Sequence, residues 1–188
     1  IKYYIMKLKK NVHYNLKVYK GNQENILEKI SKIHIKEQDY LINIKNRKER
    51  KSLYKNEITF LFLNKIYNLD DNVITFVLED EKLNILSYYS CYYYKKTLYF
   101  WNTGYDPKYE KYSISKVTNY ETFKYIYENN FADIFDFGAG RYPWKYKWTK
   151  DFILNYKLDF WNSNKKNKFI KLLLKLKRYI YILNMLIY

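Results

Sequence analysis

The stretch TLYFWNTGYDPKYEKYSISKVTNYETFKYIYENNFADIFDF, Thr97 to Phe137, decides the fold. Its first part, TLYFWNTG (97–104), is rich in aromatic and β-branched residues and reads as a strand. YDPKYEKYSIS follows as a loop to Ser115. From Lys116 to about Asn130, Val117, Tyr120, Phe123, Ile126 and Tyr127 recur at three and four, the spacing of one helix face. ADIFDF (132–137) is a short second strand. A helix that joins two strands of one sheet returns the chain to the end where the first strand began. The strand at 132–137 is therefore expected to lie parallel to its predecessor.

Upstream the period is two. VITFVLE (73–79), a DEK turn, LNILSYYSCYYY (83–94) and a Lys95-Lys96 turn lead into the strand at 97, an antiparallel meander. Before it, two segments read as helices. One runs from Asn22, its expected N-cap, to about Gln38, and the other from Ser52 to Tyr67. The basic run NIKNRKERKS between them reads as a solvated loop or helix face. After YYIMKLKK (3–10), VHYNLKVYK (12–20) alternates like a short strand. Downstream, FILNYKLDFW (152–161) reads as a strand and the residues from Asn162 as a terminal helix, about 163–188. The whole is an α/β fold with a mixed central β-sheet, an antiparallel meander, a crossover helix and flanking helices, expected as one domain over 1–188.

The formal charge is +16, almost all of it from lysine. Arginine, the forked reader of phosphate and guanine, stands only at Arg47, Arg50, Arg141 and Arg178, which counts against a nucleic-acid partner. Abundant Lys, Asn, Ile and Tyr with scarce Ala, Gly and Pro is the profile of an AT-rich coding sequence. With half of the residues apolar the chain is not disordered. Cys91 is the only cysteine, so no internal disulfide forms, and its apolar run SYYSCYYY reads as a buried, inert thiol. One Cys and the two histidines, His13 and His34, make no zinc set, so no metal is expected. No stretch reaches the roughly 18 uncharged apolar residues of a membrane span, and a cytoplasmic location is expected. The chain opens on Ile1, which suggests a longer protein with an N-terminal half before it.

Two motifs carry a resemblance. TGYDPKYEKYS (103–113) and, beyond the crossover helix, FDFGAGRYPWKYKW (135–148) resemble the CelD-like acetyltransferase domain of the GNAT acyltransferases. The matching positions are Gly104-Tyr105-Asp106, Tyr109, Tyr112-Ser113, Phe135-Asp136-Phe137, Gly140, Lys145 and Trp148, with a histidine segment at His34 upstream. Ile114-Ser115 replaces the family's Pro-Gly, and Trp144 replaces a Tyr. The resemblance implies a GNAT-like fold and acyl transfer from acetyl-CoA or another acyl-CoA to an amine or hydroxyl, on a sugar or a polysaccharide or cell-envelope precursor. Fem-type aminoacyl transfer from tRNA, or a module that has lost its donor site, are the alternatives within the same fold.

The resemblance also distributes roles. Gly104, Tyr105, Tyr112, Ser113, Ser115 and Lys116 would hold the donor, with Gly104 near the end of one splayed strand and the loop at a helix N-terminus. Asp136 would take the acceptor's proton, and Tyr142 or Lys145 would supply one to the leaving thiolate. His34, Arg141, Trp144 and Trp148 would contact the acceptor. The residues themselves leave alternatives open. Between two phenylalanines Asp136 points away from their face, toward a cleft or toward a nearby cation. Arg141 and Lys145 pair with Asp136, hold an anionic acceptor or stay solvated. Trp144 and Trp148 stack on a substrate or belong to a core. Gly138 and Gly140 turn the chain off its strand at positive φ. The basic start of the terminal helix suits an anionic membrane surface or docking onto the sheet.

Overall fold

The computed structural model describes residues 1–154, 169–177 and Tyr179. Contacts divide the chain into two compact units, Ile1–Arg141 and Tyr142–Tyr188.

The first unit is a five-stranded sheet covered on both faces. Its strands are β1 (Tyr14–Lys20), β2 (Val73–Asp80), β3 (Ile85–Tyr94), β4 (Thr97–Tyr105) and β5 (Ile134–Asp136), and they lie side by side in chain order. β1 to β4 pair antiparallel, and β5 pairs parallel with β4, as the crossover predicts. The helices are α1 (Lys2–Lys9), α2 (Ile26–Asn43), α3 (Glu57–Leu69) and the crossover α4 (Ile114–Glu128).

Alternation along the strands divides the core. Val73, Val77, Ile85 and Tyr88 face α2 and α3, where Ile26, Leu27, Ile30, Leu63 and Tyr67 meet them. Leu78 and Leu86 face α1 and α4 through Leu8, Ile114 and Val117. Ile74, Phe76, Tyr89, Cys91 and Leu98 complete that second layer with Ile126. β2 and β3 are buried almost throughout because each has helices on both sides. Burial also pushes the Cys91 thiol well up, so it is inert.

Local chemistry moves several boundaries. Most of YYIMKLKK lies in α1, and Leu8 is the side chain it buries. α2 begins at Ile26 rather than just after Asn22, although Asn22 Oδ1 still accepts from Leu27 N–H at 3.1 Å. It runs on to Asn43, because Leu41 continues its buried stripe. The helix expected from Ser52 is two pieces. Ser52 caps a 3-10 turn, Leu53–Lys55, and Asn56 caps α3 through Thr59 N–H at 2.9 Å. Asn56 has extended φ and ψ, which interrupts the helix, and each such cap contributes about 1 kcal/mol. The loop after β4 holds a 3-10 helix, Pro107–Tyr112, capped by Asp106, and α4 starts at Ile114 rather than Lys116.

The second unit contains a 3-10 turn, Lys145–Lys147, and a helix over 169–177. Of the strand expected at 152–161, residues 152–154 are in no strand and the rest lie outside the described residues. The terminal helix expected at about 163–188 lies outside the described residues except for its helical part at 169–177 and Tyr179.

Candidate active site

β5 leaves β4 early. The pairs are Thr97 with Ile134, Leu98 with Phe135 and Tyr99 with Asp136, and Phe100–Tyr105 runs on without a β5 partner. β5 stops because the chain turns off at Gly138, whose φ is +73°. A Cβ on Gly138 would stand 3.1 Å from the Phe100 carbonyl oxygen, so a close approach and a positive φ both require glycine there. Phe135 and Phe137 pack edge-on against Phe123 of α4, with ring centroids 5.0 and 5.8 Å away. Asp136 therefore faces the other side of the sheet, half-buried, and its Oδ1 accepts from Gly138 N–H at 2.7 Å. It helps hold the turn.

β4 itself is kinked. Ser90 pairs with Asn102 and Cys91 with Phe100, so Trp101 is the extra residue of a bulge. Beyond it Asp106 N–H donates to Leu86 O at 2.8 Å. Backbone groups of an antiparallel strand alternate, so Thr103 and Tyr105 turn theirs away from β3, toward the side β5 has left.

The residues that the resemblance assigns to the donor cluster where β4 ends. Gly104 and Tyr105 finish the strand. Tyr112 is buried with Leu78, Leu86 and Ile114, so it anchors the loop from inside. Ser113 precedes α4 with φ 50° and ψ 46° and makes no side-chain cap. Ser115 lies one residue inside the helix, because α4 starts earlier than its periodicity suggests. Lys116 is exposed, with its Nζ 5.0 Å from the centre of the Tyr4 ring. The first N–H groups of α4 lack carbonyls one turn back, so this helix start attracts anions. Asp106 is a turn former, accepting from Lys108 N–H at 3.0 Å and pairing with Lys36 at 2.6 Å.

Under β4, on the α2 side, lies a buried polar group that sequence reasoning touched only at His34. His34 Nδ1 is 2.8 Å from Ser52 Oγ, and the ring meets Tyr54 edge-on at 5.2 Å. Burial, with Arg50 nearby, holds the imidazole down to about 4, so it is neutral. Tyr54 and Tyr88 both donate to Asn102 Oδ1, at 3.2 and 2.5 Å. One turn of α2 beyond His34 is Glu37, 8% exposed. Burial raises its carboxyl to about 7, while the Tyr105 backbone N–H, Arg50 and Gln38 draw it partly back. A Cβ on Gly104 would come within 3.2 Å of Glu37 Oε2 and 2.7 Å of a Tyr88 ring carbon. The signal that could have found Glu37 is a charged residue on the apolar stripe of α2, three after His34.

Tyr142, Trp144, Lys145 and Trp148 belong to the second unit. There Lys145 Nζ lies 5.3 Å from the Tyr142 ring centre and 5.9 Å from that of Trp144. Arg141 is exposed at the end of the first unit. Among the described residues no group of three or more His, Cys, Asp or Glu is placed to hold a metal.

The sequence pattern of the acetyltransferase (GNAT) domain matches residues 38–146, more than half of the chain. The chain belongs to the GNAT acetyltransferases. Acyl transfer is accordingly the chemistry of this GNAT domain, and small-molecule acceptors and acetyl-CoA are what such domains generally use. Among solved structures, a possible acetyltransferase from Clostridium difficile 630 superposes with a TM-score of 0.52 at 8% identity, over 79% of this chain and 98% of the other. That similarity shows the shared GNAT fold. An aminoglycoside antibiotic 6'-N-acetyltransferase from Acinetobacter baumannii aligns at a TM-score of 0.41 and 6% identity, over 81% of this chain and 99% of that one. No curated protein matches the sequence. Among the described residues no helix is long and apolar enough to cross a membrane.

Proposed function

We propose that the chain is a CelD-like N-acyltransferase that moves an acyl group from acyl-CoA to a sugar or cell-envelope precursor, within one GNAT domain over 1–188. The observation that carries this is the early departure of β5. It leaves Phe100–Tyr105 with an open edge that leads directly into the donor loop and the start of α4. In this reading the donor's pyrophosphate rests on the backbone N–H groups of Ile114 and Ser115, and its acyl arm lies along β4 past Gly104 and Tyr105. Backbone N–H groups on the open edge hold the thioester oxygen as it gains charge.

The acceptor gives its proton to a carboxylate, and its lone pair attacks the thioester carbon. The C–S bond breaks, and the thiolate takes a proton from Tyr142 or Lys145. On the resemblance the carboxylate is Asp136, and His34, Arg141, Trp144 and Trp148 serve the acceptor, His34 from beneath the sheet through Ser52 and Tyr54. Calorimetric titration with acetyl-CoA tests the reading. Saturable binding that weakens in Lys116→Glu is expected. A flat titration rejects acyl-CoA use and leaves a module without a donor site.

A further inference from the structure

The outer side of α3 is apolar, and among the described residues nothing covers it. Its inner side is spent on the core: Leu63 and Tyr67 are buried with the side chains of β2 and β3, and Phe60 and Ile66 pack partly buried beside them. The other side carries Ile58, Leu61, Phe62 and Leu69, exposed at 79, 53, 62 and 85%. At about 100° per residue these four fall in one continuous stripe with the exposed Glu57, Lys65 and Asn68. A surface helix normally has one apolar and one polar face, and α3 has two apolar ones. The four side chains make an apolar patch of several hundred Å², the kind that marks a contact site on a protein surface. The patch stands apart from the proposed donor site. α2 and α3 cover one face of the sheet, whereas Tyr112 and the start of α4 pack on the other.

The charges on the stripe indicate its occupant. Glu57 and Lys65 are exposed, and among the described residues neither takes part in an ion pair. They stand four residues on either side of Leu61, on one i, i+4 row of the helix. Along the axis they are about 12 Å apart, beyond each other's reach. A second α3 laid antiparallel on the first, with a two-fold axis at Leu61, reverses that row. Glu57 of each copy then comes beside Lys65 of the other, and Ile58, Leu61 and Phe62 of both copies close over one another. Interdigitation of i, i+4 ridges is the commonest way for two helices to pack. A two-fold contact must be complementary to itself, and one anion and one cation placed evenly about an apolar centre meet that requirement. The stripe suits no strongly charged partner, because its two charges cancel while the chain as a whole carries +16. We propose that α3 is a dimerisation surface and that a second copy of this chain occupies it. The proposal does not rest on the acyl-transfer reading. The patch is smaller than the roughly 800 Å² per partner of a standard stable interface, so the dimer forms reversibly, in the micromolar range.

Sedimentation velocity of the whole chain, from about 1 to about 300 μM, tests it. A monomer–dimer equilibrium is expected. Leu61→Glu and Phe62→Glu should each weaken it about tenfold or more. Both side chains are exposed, so thermal unfolding of these variants should match the wild type. Glu57→Lys alone, or Lys65→Glu alone, sets like charges together at both ends of the contact. Each should weaken the dimer several-fold, and more at low salt than at high. The double exchange, Glu57→Lys with Lys65→Glu, should restore the wild-type constant. The two residues do not meet within one helix, so restoration comes only from pairing between copies. Acetyl-CoA titration of Phe62→Glu should match that of the wild type, which separates this proposal from the reading of the donor site. A chain that is monomeric at every concentration overturns the proposal. So does a dimer that Leu61→Glu and Phe62→Glu leave intact, or a double exchange as weak as its single parents.

Discussion

Gly104 and Glu37 share one space: the carboxyl of the helix residue lies where the strand residue would carry its side chain. A sheet position with ordinary extended φ normally takes any residue, and here it takes none larger than glycine.

The first consequence concerns Gly104→Ala. The added methyl would meet a Tyr88 ring carbon at 2.7 Å and Glu37 Oε2 at 3.2 Å, and the ring lies in a fully packed layer. Overpacking of this kind costs about 1–3 kcal/mol. Thermal denaturation should show a lower Tm. An unchanged Tm would mean that Tyr88 and α2 yield freely.

Asn102 holds two buried tyrosine hydroxyls on one oxygen. Asn102→Ala strands both, at about 1–3 kcal/mol for each unsatisfied group. Denaturant titration of this variant, and of Tyr54→Phe and Tyr88→Phe in a double-mutant cycle, should show strong non-additivity. Additive costs would show that the two tyrosines do not depend on the shared acceptor.

His34 and Glu37 push stability in opposite directions with pH. The folded His34 titrates near 4, below its unfolded value of 6.5, so its contribution is full above 6.5 and is lost as pH falls toward 4. The folded Glu37 titrates near 7, above its unfolded value of 4.5, so its contribution is full below 4.5 and is lost as pH rises through 7. His34→Gln should therefore flatten the acid side of the stability curve, and Glu37→Gln the side between 4.5 and 7. Chemical denaturation across this range measures both. Identical curve shapes in wild type and variants would refute the assignment.

Ser113 sits at φ 50° immediately before α4. Serine tolerates this region at modest cost, but a β-branched apolar residue does not. Ser113→Val should lower stability by about 1–3 kcal/mol, and Ser113→Gly should leave it nearly unchanged. Equal effects of the two would place the strain elsewhere.

The sheet was legible because period and turn chemistry spoke together. The change from period 3.6 to 2 at Val73 and the Lys95-Lys96 turn delimit the meander, and the helix between Ile114 and Glu128 forces β5 parallel. Both lysines of that turn take positive φ, which their sequence context did not demand. The loop after β4 was legible, but the start of α4 lies two residues earlier than expected, because Ile114 is buried beside Val117. Glu37 was invisible for a different reason. Its setting depends on a glycine in β4, 67 positions later in the chain. No local pattern encodes a relation of that range. The second unit was read through the motif at 135–148, and its residues Tyr142, Trp144, Lys145 and Trp148 remain proposals from resemblance.

The strands of the first unit lie in the order in which they leave the ribosome. β2, β3 and β4 follow one another over short turns, whereas the β1 to β2 step spans α2 and α3 and the β4 to β5 step spans α4. Loop-closure cost rises with sequence separation, so the meander is the natural early structure, and β1 and β5 dock on it later. The edge on which the acyl group is proposed to lie thus adjoins the shortest pairing of the sheet, β4 with β5. A small opening there costs the rest of the fold little, which suits an edge that must admit and release a long donor at every turnover.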